Sequence, residues 1–118
     1  MNAQTMRHSV EEAVADAARE VPGVAYLRPG LSGLLGGTTA RIARATGRPE
    51  PVSGVRAVPT ADRSGWRVDI KLTTLPGHRV VDVTRAVRDA AGAAARDTLS
   101  GEDERVTVTV RVTVTGTL

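Results

Sequence analysis

The chain of 118 residues has no cysteine, no phenylalanine and a single lysine, Lys71. The lack of cysteine excludes disulfides and thiolate metal sites. Aromatic residues make up only 2% of the chain, Trp66 and Tyr26, so any core must be built from Val, Ala, Leu and Ile. Side chains this small suit a thin layer of helices on a sheet. No apolar run is long enough to cross a bilayer. The opening segment "MNAQTMRHSVEEAV" lacks the apolar stretch of a secretory signal, and a cytosolic protein is expected. What the chain does have is 41% apolar residues, enough for one globular domain with a modest core. Its formal net charge of +3, carried almost wholly by arginine, does not by itself argue for a nucleic-acid partner.

Periodicity divides the chain into five elements. Ser9 and Glu12 form an S-x-x-E capping pattern that predicts a helix start at Ser9, with residues 1–8 as a flexible N-terminus. Val10, Ala13, Val14, Ala17, Ala18 and Val21 then fall on one helical face, while Glu11, Glu12, Asp16, Arg19 and Glu20 are expected to face water. Pro22 and Gly23 end the helix. A connection rich in Gly and Arg follows at about 28–51. Its Arg41, Arg44 and Arg48 form a candidate basic segment, since no acid occurs between Glu20 and Glu50. A strand is predicted from Val55 to Thr60. A second strand, "WRVDIKLTT", alternates Trp66, Val68, Ile70 and Leu72 against Arg67, Asp69, Lys71 and Thr73, with "ADRSG" as the hairpin turn. A long helix is predicted from Val80 to Leu99, with Val80, Val83, Val87, Ala90, Ala91, Ala94 and Ala95 inward and Gly92 as a weak spot.

The last element, "RVTVTVRVTVTG", alternates with unusual regularity. Its valines belong to a core; its threonines and Arg111 form a second, polar face. The expected fold is α+β: a two-layer sandwich of order α-β-β-α-β. A mixed three-stranded sheet carries both helices on one face, in a single domain spanning residues 9–118. Val108, Val110 and Val112 are expected to be buried against Val83, Val87 and Ala91. On the opposite face, Arg56, Arg67, Asp69, Lys71, Thr107, Thr109, Arg111 and Thr113 are expected to lie side by side. They form the candidate surface for contact with another protein.

The segments "VEEAVADAAREVPGVA", "SGVRAV", "GWRVDIKLTT", "VVDVTRAVRDAAGAA" and "VTVTVRVTVTG" occur in the order and spacing of the alkaline shock protein family of Gram-positive bacteria, which the chain resembles from Ser9 to Gly116. It departs from that pattern between Arg28 and Pro51. The resemblance implies a non-enzymatic scaffold or adaptor of the envelope stress response. Such a protein is cytosolic, associates with itself, and is recruited to the inner face of the membrane by a related, membrane-anchored partner.

No pattern of catalytic residues accompanies it. His8 and His78 have no second ligand at metal spacing. Ser32 in "PGLSGLL" lacks the strand and the G-x-S-x-G of a nucleophile elbow. "GLSGLLGGTT" lacks the lysine of a phosphate loop. The pairs Glu11–Glu12 and Glu102–Glu104 read as solvated carboxylates. No enzyme activity, cofactor or metal is expected. The alternative is a KH-like nucleic-acid binder, in which Gly30–Gly33 or Gly33–Gly36 would supply the G-x-x-G loop beside the basic segment. A long joint and the absence of basic residues between the glycines weigh against it, and nucleic acid is not the expected partner.

Overall fold

The computed structural model describes residues 3–27, 52, 54–62, 64–99 and 106–118. Helix α1 spans Ala3–Arg19, β1 Val24–Leu27, β2 Val55–Pro59, β3 Gly65–Thr74, α2 Val80–Leu99 and β4 Thr107–Thr117. The α+β architecture and the mixed sheet stand as expected, with one short strand, β1, added before the hairpin. The connection 28–51, including Arg41, Arg44 and Arg48, lies outside the described residues, as do both G-x-x-G motifs, Ser32 and Glu102–Glu104.

All pairing runs through β3. It is antiparallel to β2, with Arg56 opposite Asp69 and Ala57 opposite Val68. It is also antiparallel to β1, with Leu27 opposite Leu72. β4 lies parallel to β3 along its whole length, from Gly65 opposite Thr107 to Thr74 opposite Thr117. Because β4 occupies one edge of β3 completely, β1 and β2 share the other edge end to end. The β3–α2–β4 crossover is what allows the parallel pair.

The inward side of β3 forms the floor of the core: Val68, Ile70 and Leu72 are completely buried. Helix α1 brings Val10, Val14, Ala15 and Ala18 to it, Val21 follows just past the helix end, and α2 brings Val83, Val87, Ala91, Ala95 and Leu99. The helices pack on each other, α1 over β1 and β2 and α2 over β4. Both helices carry fully buried alanines, Ala15 and Ala18 on α1 and Ala91 and Ala95 on α2, which suit the close packing that a core without phenylalanine needs. Gly23 makes the turn from α1 into β1 at φ +97°. A Cβ there would meet Val83 Cγ2 at 2.5 Å, so both backbone and packing demand glycine.

Four expectations are corrected. First, α1 begins at Ala3, six residues before Ser9, so residues 3–8 are helical and not a flexible N-terminus. No Pro or Gly interrupts "AQTMRH", Met6 packs against the core, and His8 Nε2 lies 3.4 Å from Glu12 Oε1 one turn on. Glu12 therefore partners a helical side chain where a capping role was expected. Second, Glu11 is half-buried. Third, Val80 is 42% exposed at the start of α2, ahead of the buried stripe that begins at Val83. Fourth, the valines of β4 face the core but are only half-buried, because β4 is the last strand and nothing described flanks its outer side.

This difference has a measurable consequence. Val68→Ala should cost about 2–3 kcal/mol, since it opens a gap at a fully enclosed site. Val110→Ala, at a site already half-open, should cost about 1 kcal/mol. Equal losses in chemical denaturation would mean that β4 is covered as fully as β3. Gly92→Ala should raise stability by about 0.5–1 kcal/mol through helix propensity. The atoms nearest the new methyl would be those of the Arg96 guanidinium, the first 3.2 Å away at the far end of an exposed, flexible side chain. A lower melting temperature would show instead that the α1–α2 contact requires glycine.

Candidate interaction surface

The outer face of the sheet gathers all eight residues expected there. Pairing sets them in rows across the strands: Arg56–Asp69–Arg111, then Arg67–Thr109, Lys71–Thr113 and Gly65–Thr107. Arg56, Arg67, Lys71, Arg111 and the threonines are exposed, and Asp69 is half-buried among them. Four cations thus surround one carboxylate. Asp69 Oδ2 lies 3.5 Å from Arg67 Nε, while its Oδ1 is buried with no hydrogen-bond partner. Tyr26 extends this face at the β1 end, opposite Thr73, and is 48% exposed. Gly65 is required where the face begins, because the Thr107 carbonyl occupies the place of a Cβ.

The two rims of the sheet are finished differently. At the β2 rim, Ala57 turns its N–H away from β3 and donates it to Glu11 Oε2 at 2.9 Å. A carboxylate from α1 therefore satisfies this edge, and Pro59 has no N–H to offer. Burial raises the Glu11 carboxyl above its ordinary value; the Ala57 hydrogen bond and the charges of Arg7, His8 and Arg56 oppose that shift. Sequence reasoning missed this contact. The available signal was the place of Glu11 at the margin of the apolar stripe, between Val10 and Val14.

The β4 rim has no such closure among the described residues. Its eleven residues contain no proline, no lysine and one charge, Arg111. The only irregularity lies near the end, where Val114 stands opposite Leu72 and Gly116 opposite Thr73, so that Thr115 is skipped. Past this point the strand is tied down by Thr115 Oγ1 to Leu72 O at 3.2 Å, Thr74 Oγ1 to Thr117 Oγ1 at 2.8 Å, and Leu118 N–H to Thr74 O at 3.0 Å. The hairpin turn is also held by hydrogen bonds. Asp62 Oδ1 accepts from Thr60 Oγ1, Ser64 N–H and Ser64 Oγ, which together lower its pKa to about 2. No described group of His, Asp and Glu is placed to hold a metal ion.

No family model matches the chain, and no curated protein matches it. It is similar to solved structures of the MamM C-terminal domain. A copper form is 17% identical with a TM-score of 0.44, covering 91% of this chain and 81% of that one. A double variant is 16% identical with a TM-score of 0.46, covering 91% of this chain and 79% of that one. At this overlap the likeness carries no argument. With no family model and no curated protein matching, and with solved neighbours of another kind, the resemblance to the alkaline shock family is not upheld, and the envelope-stress role it implied is left without support. The physical reason lies in the motifs themselves. The E-V-x-G-V segment is what a buried Val21 and a left-handed Gly23 impose at a helix stop. Alternating valine is what any strand beneath a helix requires.

The Glu11 contact gives a test with a definite sign. Glu11→Ala strands the Ala57 N–H and should lower stability by about 1–3 kcal/mol. Glu11→Gln keeps an acceptor without a buried charge. Because the folded carboxyl titrates above its ordinary value of 4.5, the parent's stability is fully present below that pH and falls as pH rises through the raised value. Relative to Glu11→Gln, the parent should therefore lose ground between acidic and neutral pH. Denaturation curves with no pH dependence in their difference would contradict the burial of Glu11.

Proposed function

We propose that this protein is a non-enzymatic interaction module, a scaffold or adaptor whose binding element is β4 and the outer face beside it. The carrying observation is the contrast between the rims: Glu11 seals the short one, and among the described residues the long one presents an open, regular, largely uncharged strand. An open edge supplies main-chain hydrogen bonds to an incoming strand, and alternate side chains give the match its specificity. The supporting chemistry is that of contact. Among the described residues Glu11 holds the Ala57 N–H, Asp62 holds the hairpin turn, and Glu12 and Asp16 lie against neighbours on their own helix. No described helix is long and apolar enough to cross a membrane. On this reading, any place at a membrane comes through a partner that carries the anchor. Nucleic acid is the weaker reading, because the described outer face offers a single exposed aromatic, Tyr26, on which a base could stack.

The experiment is to measure the mass of the full chain in solution by light scattering over a wide concentration range. The parent is compared with Thr109→Arg/Thr113→Arg. Both substitutions point outward, so the melting temperature should stay within a few degrees, while the added cations along the edge should abolish association. Association that survives the double substitution would remove β4 as the binding element.

A further inference from the structure

We infer that the partner of β4 is a second copy of itself: two chains pair β4 to β4, antiparallel, in the register centred on Val110. This rests on the interaction-module reading and names its occupant. The argument is one of symmetry. A two-fold interface places residues opposite one another about a fixed centre, the same patch serving both copies. The side-chain period is two. Valine meets valine over a continuous core only if the axis passes through a residue and not between two.

Three centres lie near the middle of the strand. An axis through Arg111 sets the two Arg111 guanidinium groups directly opposite each other, which is repulsive. An axis through Val112 pairs residues 107–117 and so runs across the skipped Thr115. An axis through Val110 pairs residues 106–114, the regular stretch that ends where the irregularity begins. On the inner face this last register sets Val106 against the partner's Val114, Val108 against the partner's Val112, and Val110 against itself. The valines left half-exposed in one chain become a closed row. On the outer face Thr107 meets the partner's Thr113, and Arg111 meets the partner's Thr109, away from like charge. No other composition is needed; the strand is its own complement in length, alternation and charge.

The natural chain has no cysteine, so single substitutions report without background. Val110→Cys, Arg111→Cys and Val112→Cys are oxidised mildly in the full chain. Residues opposite themselves in an antiparallel pair lie about 5 Å apart at Cα, within disulfide reach. In the Val110 register the two copies of position 112 are four residues out of step, about 13 Å, and cannot bond. Val110→Cys should link at least tenfold faster than either of the others. Outward substitutions give a second reading that does not depend on an inward site. Thr109→Glu faces the partner's Arg111 twice per dimer and should tighten association about fivefold in sedimentation equilibrium. Thr113→Glu faces the partner's Thr107 and should change it less than twofold. Within one chain the two positions are matched, beside Arg67 and Lys71.

Faster linking at position 111 or 112, or tightening by Thr113→Glu alone, overturns the register. A dimer that none of the three cysteines links overturns the seam while leaving self-association intact. A monomer at every soluble concentration overturns the pairing, and a β4 edge that instead captures a defined strand from another protein assigns the module reading to a different partner.

Discussion

Each strand of the sheet pairs with one strand, Gly65–Thr74, and the rest of the fold follows from how that strand's two edges are divided. β4 takes one edge for all ten residues, so β1 and β2 can occupy only the other, one beyond the other. The sheet therefore has a broken rim made of two short strands and an unbroken rim made of one long strand. The alternation of β3 also sets the layers. Val68, Ile70 and Leu72 go under the helices, and Arg67, Asp69 and Lys71 go out, carrying the paired residues of both neighbours with them. One strand's register thus determines both where the core lies and where the charge lies.

The poverty of large side chains acts on the same plan from above. With alanine on the buried sides of both helices, α1 and α2 enclose the middle of the sheet completely, as the full burial of Ala57, Val68 and Ile70 shows. The last strand gains cover from α2 and from β3 but from nothing described beyond it, and its valines stay half-open. At the opposite rim the same exposure is met by a charge. Glu11 accepts the free N–H of Ala57 despite the desolvation that raises its pKa. Among the described residues one rim is finished within the chain and the other is not.

Much of this was legible in the sequence, for reasons that can be assigned residue by residue. α2 was readable to the residue because Val83, Val87, Ala91 and Ala95 recur at one helical spacing, with "LPGH" before them and the polar "SGEDE" after. The hairpin and β4 were readable because period-two alternation has no competing interpretation over ten residues. The outer-face group followed from that alternation, and the pairing brings its members together. The missed features are those where a local signal was short or ambiguous. β1 has four residues, too few for a period, and is held by pairing with Thr73 and Leu72 far along the chain. Ser9 and Glu12 have the spacing of a cap, but the spacing also suits two positions inside a longer helix. Glu11 looked solvated because its partner is a backbone N–H 46 residues away. The family resemblance failed for a related reason, since its shared segments record the demands of a helix stop and an edge strand.

Arg111 is the residue on which specificity and safety converge. A strand of alternating valine and threonine with no charge would be a general template, able to pair in any even register and to stack without limit. Identical strands stacked in parallel register would bring Arg111 over Arg111 at every step, so the single charge opposes fibril growth most strongly where repetition is most regular. It opposes only one symmetric pairing in the same way, the one centred on itself. The offset of a single residue on either side relieves the repulsion, and the skipped Thr115 separates the two offsets. A polar residue at one buried seam position of a coiled coil fixes register by the same exclusion. Closure then comes from the rest of the molecule. Once two β4 edges are joined, the rims that remain are both β2 rims, each interrupted, each bearing Pro59 and each with its Ala57 N–H already held by Glu11. Growth of a β4-paired assembly beyond two copies would have to displace a carboxylate from each new edge, which would hold it at the dimer.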